Sequence, residues 1–415
     1  MSNVRNNQGS KPAVRFKGFS DAWEKRKLGE IVEWKKGKGI SKDKLNEEGQ
    51  GIPVVHYADL YKFSAVQKNV FHWTTTNEGR PIPDNTILFP VSDVTPAGLA
   101  RTSTLLCQGA FAGGDVLMGA LSRNLDSRFI SFQVNSRSEQ ILPLITGTTV
   151  HHVTSNSLST LLEYLPDLSE QREVATFLER IENLIAVNQR KAENLQKLKK
   201  SLLQQMFVSG NDSVPRIRFA GFADAWEQRK LSELVDHRGG TAIEKYFGES
   251  GEYKVISIGS YGLDNQYVDQ NIRAVSNKIT RSRLVHKGEL TMVLNDKTSN
   301  GTIIGRLLLI DRDSEYVVNQ RTEIISPKKL FNSNFAFVIL NGPFREEVKR
   351  IVQGGTQIYV NYSAVEKLPV TLPTPAEQYK IGEFFIKVDA VIALHQRKVE
   401  NLQKLKKSLL HLMFI

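Results

Sequence analysis

The sequence predicts an α+β fold: two globular mixed α/β domains joined by two long helices, paired antiparallel as a coiled coil with pseudo-twofold symmetry. Three observations predict it. The segment RFKGFSDAWEKRKLGEIVEW beginning at Arg15 returns as RFAGFADAWEQRKLSELVDH beginning at Arg218. The string ENLQKLKKSLL occurs at Glu193–Leu203 and again, unchanged, at Glu400–Leu410. Elsewhere the chain is broken into short apolar or alternating runs bounded by Gly, Pro, Asn and Asp, which read as strands and loops.

The elements follow in order. A polar N-terminal tail (1–14) precedes a first globular domain (15–168) and a central long helix (169–208). A linker, SGNDSVP (209–215), leads to a second globular domain (216–375) and a C-terminal long helix (376–415). A period of about 205 residues far exceeds any solenoid repeat and marks duplication of a domain-plus-helix unit. Turns before the helices match as well: Leu165-Pro166 with Leu372-Pro373, and Glu170-Gln171 with Glu377-Gln378. Glu170–Phe207 and Glu377–Phe414 agree at 21 of 38 positions, while 35–145 and 238–352 barely align. Two copies that keep their frame and differ in their centres read as two readers on one chassis.

Both helices carry heptads with apolar a and d positions. In the first, a is Val174, Ile181, Asn188, Leu195 and Leu202, and d is Phe177, Leu184, Lys191, Leu198 and Gln205. In the second, a is Ile381, Val388, His395, Leu402 and Leu409, and d is Phe384, Val391, Lys398, Leu405 and Leu412. The polar exceptions, Asn188 with Lys191 and His395 with Lys398, fall near each midpoint, where they face each other or lie solvated at the edge. A pseudo-twofold duplication favours a closed, isologous arrangement, hence antiparallel pairing. A helix of about 38 residues spans roughly 57 Å, the length of about 17 base pairs.

The 415 residues, 40% hydrophobic and 24% charged, are ordinary globular values that exclude a disordered or fibrous chain. One cysteine, Cys107, rules out a disulfide framework and a cysteine zinc site and points to the cytosol. Cys107 sits in the apolar stretch TLLCQGAF and reads as core. No apolar run is long enough for a membrane span, and the polar start lacks a secretory core. The net charge of +11 favours a polyanionic partner.

Strands are expected at Ile52–Tyr57, Asn85–Val91, Glu252–Ile258 and Arg306–Asp311. NSLSTLLEYL and Ser333–Val352 read as partly helical. Polar residues in loops between strands are the candidates for contact with double-stranded DNA. In the first domain these are Lys35, Lys36, Lys38, His56, Tyr57, Ser92, Asp93, Arg101 and, in a Gly-Thr loop, Thr148. In the second they are Arg238, Thr241, Ser257, Ser260, Arg281, Arg283, Asn295, Asp296, Lys297, Arg321 and, in the matching loop, Thr356. Arg and Lys donate to guanine or phosphate, Asn reads adenine and Asp accepts from cytosine. The exposed lysines of the helices (Lys197, Lys199, Lys200, Lys404, Lys406, Lys407) suit a solvated face or a docking surface. The sequence carries no phosphate loop, HExxH or GxSxG, and the pair His151-His152 has no acidic or cysteine company.

The doubled motifs (DAWEKRKLGEI and DAWEQRKLSEL, then helices opening on EQ and ending LKKSLLQQMF and LKKSLLHLMF) resemble the specificity subunit of Type I restriction–modification systems. The resemblance covers the chain from about residue 15 onward. It implies that each globular region is a target recognition domain reading one half of a split, asymmetric DNA site. It also implies that the helices set the spacing and dock two modification (methyltransferase) subunits, to which restriction subunits are added. The chain would then be non-catalytic: S-adenosylmethionine belongs to the methyltransferase subunits, and ATP and Mg to the restriction subunits. Rival readings are an autonomous two-domain DNA-binding regulator and a coiled-coil assembly protein without a DNA role.

Overall fold

The computed structural model describes residues 11–208, 212–297 and 300–415, so the expected tail and linker lie partly outside the described residues. The chain forms two compact units, Met1–Gln189 with Arg397–Ile415, and Arg190–Gln396. Each unit holds one globular domain and half of each long helix. No helix among the described residues is long and apolar enough to cross a membrane.

In the first unit a five-stranded sheet runs in the order Val32–Lys36, Val116–Leu121, Thr86–Pro90, Ser103–Leu105, Val66–Gln67. A four-stranded sheet is built on Ile52–Val55, paired parallel to Phe111–Ala112 and antiparallel to His72–Thr74. The centre of the larger sheet, TILFP, is buried at every position, as a strand covered on both faces must be. Helix Ser127–Ser136 covers one face, and its Phe129 and Phe132 join Trp23, Leu28 and Phe89 in the main core.

The second unit has a four-stranded sheet ordered Val235–Gly239, Thr322–Pro327, Leu290–Val293, Leu307–Leu309. A three-stranded sheet centres on Tyr253–Ile256. Ser333–Val352 folds as two helices, Ser333–Asn341 and Pro343–Arg350, broken at Gly342 where proline opens the second. NSLSTLLEYL is partly helical, its first three residues ending the helix Ser155–Leu158. Leu162–Leu165 is instead a strand on Glu24–Lys27, because alternating burial suits a ribbon lying on the core.

The long helices are Leu168–Met206 and Pro375–Met413. Asp167 starts the first by accepting the Glu170 N–H at 2.9 Å, and this bond holds its carboxyl below the usual carboxylate range. The EQ dipeptide that follows ties helix to domain. Glu170, fully buried, accepts from Arg15 Nε (2.8 Å) and from Trp23 Nε1 (3.2 Å). Gln171 accepts from the Asp126 N–H, at the cap of helix Ser127–Ser136, and donates to the Pro166 carbonyl. In the second unit Glu377 accepts from Arg218 Nε at 2.7 Å, and Gln378 accepts from the Asn332 N–H and donates to Pro373 O.

Within the first unit Val174 and Leu178 lie in one core with Met413 and Phe414, and further along Glu182 meets Lys406. Position rises on one helix as it falls on the other, so the pairing is antiparallel. In the second unit Lys199 meets Asp389 while Phe207 contacts Phe385 (centroids 5.9 Å apart), with the same sense.

The expected a positions are buried or half-buried, including Asn188, whose Nδ2 donates to Leu184 O at 2.7 Å, and also Leu195, His395 and Leu402. The expected d positions need correction. Leu184 is 51% exposed, Leu198 51%, Val391 42% and Leu405 47%, and Lys191 and Lys398 are exposed too. Phe177 and Phe384 turn to Phe16 and Phe219 of their own domains. The buried line runs one residue later, through Leu178, Ala192, Lys199 and Met206, and through Phe385, Ile392, Lys406 and Met413. Spacings of three and four both keep a helical face, so an apolar doublet such as Leu184-Ile185 or Val391-Ile392 fits either frame.

Candidate nucleic-acid interface

Most sequence-predicted contact residues sit on loops or strand ends of their own domain, and the structure sorts them into free and internally held groups. In the first domain Lys35 and Lys36, on Val32–Lys36, are exposed and ion-paired with Glu33 (2.7 Å) and Asp115 (3.2 Å). Lys38 is exposed on the adjoining loop. His56 opens the turn Tyr57–Tyr61, with its Nδ1 accepting from the Ala58 N–H, and its ring lies 4.3 Å from Tyr57. Burial pushes the His56 imidazole below its ordinary value, so the neutral ring is favoured.

Ser92 and Asp93 form a two-residue strand paired with His151 and His152, and Ser92 Oγ lies 3.0 Å from His152 Nδ1. Tyr61 donates its hydroxyl to Ser92 O at 2.7 Å, which fixes this corner on the sheet. Thr148 is exposed at the tip of the hairpin that ends on this strand.

Arg101 is not a free contact residue. It donates to the carbonyls of Tyr61 and Phe63, and burial lowers its pKa. An extended loop offers unsatisfied carbonyl oxygens, and a guanidinium satisfies two at once. Cys107, expected in the core, is half-buried beside the turn at Gly109.

In the second domain Arg238 is held by Glu289 (2.8 and 2.9 Å) and by Leu284 O. Ser260 is fully buried, capping the turn that begins at Ser257. Asp296 is buried and accepts from the Ile303 N–H at 2.7 Å. Arg283 donates to Gly239 O. Ser260 and Asp296 are buried and bonded within their own loops, because a buried charge or hydroxyl must take an internal partner, while half-buried Arg238 and Arg283 are engaged by neighbouring groups of the domain. Thr241, Arg281, Lys297, Arg321 and Thr356 are exposed, and Ser257 is half-buried.

Asn295 and Asp296 pair with Tyr359 and Ile358, which lead back to Gln353–Gly354 through a hairpin carrying Thr356. With its amide oriented to satisfy both ends, Asn295 accepts from Arg321 Nη1 at 2.7 Å and donates to Leu294 O at 3.2 Å. The structure therefore brings together Ser92, Asp93 and His152 in one domain, and Asn295, Arg321 and Tyr359 in the other. His152 and Tyr359 were not among the expected contact residues, although TGTTVHHV (146–153) and QGGTQIYV (353–360) stand at equivalent places in the repeat. Among the described residues no group of three or more His, Cys, Asp or Glu is placed to hold a metal ion.

The family described as Type I restriction modification DNA specificity domain matches twice, at residues 20–197 and 223–404. The Type I restriction enzyme MjaVIII specificity subunit of Methanocaldococcus jannaschii is 24% identical over 401 residues, covering 94% of this chain and 92% of that protein. The Type I restriction–modification S subunit of M. genitalium superposes with a TM-score of 0.63 at 15% identity, covering 98% of this chain and 99% of that one. The HsdS subunit of Thermoanaerobacter tengcongensis gives a TM-score of 0.43 at 14% identity, covering 94% of this chain and 96% of that one. With both halves matched, around two domains that share a frame and differ in surface chemistry, the chain belongs to the Type I restriction–modification DNA specificity family, with two target recognition domains.

Proposed function

We propose that each target recognition domain reads one half of a bipartite, asymmetric DNA site, and that the helices set the spacing and dock two methyltransferase subunits. One observation supports this above the rest. The entry segments and helices that build the frame are repeated, the helices at 21 of 38 positions, whereas the centres of the two domains barely align. Identical half-sites would need no such difference, since base-edge contacts must change when the base changes.

In this reading the chain does no chemistry itself. Adenine N6-methylation, with S-adenosylmethionine, belongs to the docked subunits, and ATP- and Mg-dependent restriction to further subunits in the cytoplasm. The docking surface is the apolar stripe that the helix seam leaves outside: Leu184, Val187 and Leu405 in the first unit, and Leu198, Val391 and Leu394 in the second. Leucines exposed at matching places of a repeat favour a partner face over scattered surface residues.

The test is co-expression with the cognate modification subunit, followed by genome-wide mapping of N6-methyladenine. The expected result is a split motif with unlike halves. An uninterrupted palindrome rejects the reading, and tight specific DNA binding by the isolated chain favours the autonomous regulator.

A further inference from the structure

The two Gly-Thr hairpins are the same device carried by two otherwise divergent domains. Gly147 (φ +100°) and Gly354 (φ +99°) occupy equivalent left-handed positions. A Cβ on either would stand 2.2 Å from a carbonyl oxygen, of Val150 or Gln357, so only glycine closes the loop. Each hairpin returns onto a two-residue strand ending in aspartate, Ser92–Asp93 or Asn295–Asp296. Each aspartate is engaged by its own loop: half-buried Asp93 accepts from the Thr95 N–H in a local turn, and buried Asp296 accepts from the Ile303 N–H. The tips Thr148, Thr149, Gly355 and Thr356 are exposed.

What changes is the rung beside the aspartate. In the first domain it carries Ser92 and His152, in the second Asn295 and Tyr359 with Arg321 bonded across. Arg321 also holds a left-handed backbone (φ +64°), as do Asn85, Asn265, Asn271 and Ser314. A contact to phosphate is the same at every DNA sequence, so its protein half can stay constant between two readers. A contact to a base edge cannot.

Building on the proposed function, we propose that the hairpin tips are sequence-independent anchors on the DNA backbone, and that Ser92–His152 and Asn295–Arg321–Tyr359 are the specificity-determining clusters of their half-sites. The ring of His152, held by Ser92 at Nδ1, presents Nε2. Arg321, exposed and steadied by Asn295 through Nη1, keeps further guanidinium donors of the kind that pair with guanine in the major groove.

The experiment uses the full chain co-expressed with its modification subunits, with N6-methyladenine mapped genome-wide. The double variant Ser92→Asn with His152→Tyr should alter or relax the first half-site only, by roughly tenfold or more in preference at one position. Arg321→Lys, which keeps the charge and loses the fork, should relax the second half-site only, and it remains informative if the double variant fails to assemble. Thr148→Ala with Thr149→Ala should slow methylation roughly fivefold at all sites alike, leaving the motif intact. An unchanged motif in both rung variants, or a change in both halves from one variant, overturns the proposal. A wild-type complex that methylates no split motif instead overturns the underlying function, independently of these clusters.

Discussion

Lys199 donates to both carboxylate oxygens of Asp389, at 2.5 and 2.7 Å. The repeat makes the same bond again in the other unit, where Lys406 donates to Glu182 at 2.5 Å. Asp389 is the repeat equivalent of Glu182, and Lys406 of Lys199. Each pair takes one residue from each long helix, so the duplication has written one helix-to-helix clamp twice. Burial raises the Asp389 carboxyl and Lys199 opposes the rise, so desolvation sets much of the balance.

Removing one partner should therefore hurt more than removing both. Asp389→Ala strands a half-buried ammonium and should cost about 1–3 kcal/mol in urea unfolding. Lys199→Met with Asp389→Leu should be close to neutral or stabilising. A double variant as unstable as the single would contradict this account.

The helix frame yields a second expectation. Ile392 lies in the buried line and Val391 beside it is exposed. Ile392→Ala should cost about 2–4 kcal/mol, and Val391→Ala less than about 1 kcal/mol. The reverse order in thermal melts would restore the frame expected from the heptads.

Periodicity read the helices and their existence well because long amphipathic repeats leave few alternatives, but it did not choose between neighbours. At Leu198-Lys199 and Leu405-Lys406 hydrophobicity favours the leucine, while burial selects the lysine, whose carboxylate partner lies on the other helix. The EQ dipeptide was legible as a landmark, yet its task was not: Gln171 bonds Asp126, far back in the chain. The interface was read by residue type alone, which separates Arg321 from Arg101 no better than chance. Only tertiary structure shows that Arg101 is occupied by loop carbonyls. His152 and Tyr359 carry no signal in either divergent centre alone, and only the pairing of each strand with its hairpin sets them at equivalent places.

The Arg137–Glu163 pair supplies a pH prediction. Glu163 is buried and Arg137 Nη2 donates to it at 2.8 Å, but burial dominates and its pKa is pushed up to about 7. The folded pKa lies above the unfolded value of about 4.3, so the contribution to stability is complete below that value. It is lost as pH rises through about 7, by up to roughly 4 kcal/mol for this one group. Glu163→Gln should flatten that part of the stability profile between about pH 4.5 and 7. A wild-type profile unchanged by the substitution would show that Arg137 outweighs burial.

The outer stripe of the helices provides the most direct separation of folding from assembly. Leu184 and Leu405 are about half exposed, and so are Leu198 and Leu394. Surface substitutions away from buried features usually change stability by less than about 0.5 kcal/mol. Leu184→Glu with Leu405→Glu should therefore leave the chain's own melt nearly unchanged, while Val391→Glu with Leu394→Glu tests the second unit in the same way. If the stripe receives the methyltransferase subunits, a buried unpaired carboxylate at its centre costs several kcal/mol and lowers affinity by 100-fold or more, on the order expected for an interface hot spot. Co-purification with the modification subunit should then fall to one copy for either pair and to none for all four substitutions. Retention of both copies by the fourfold variant, with a normal melt, would place the docking surface elsewhere.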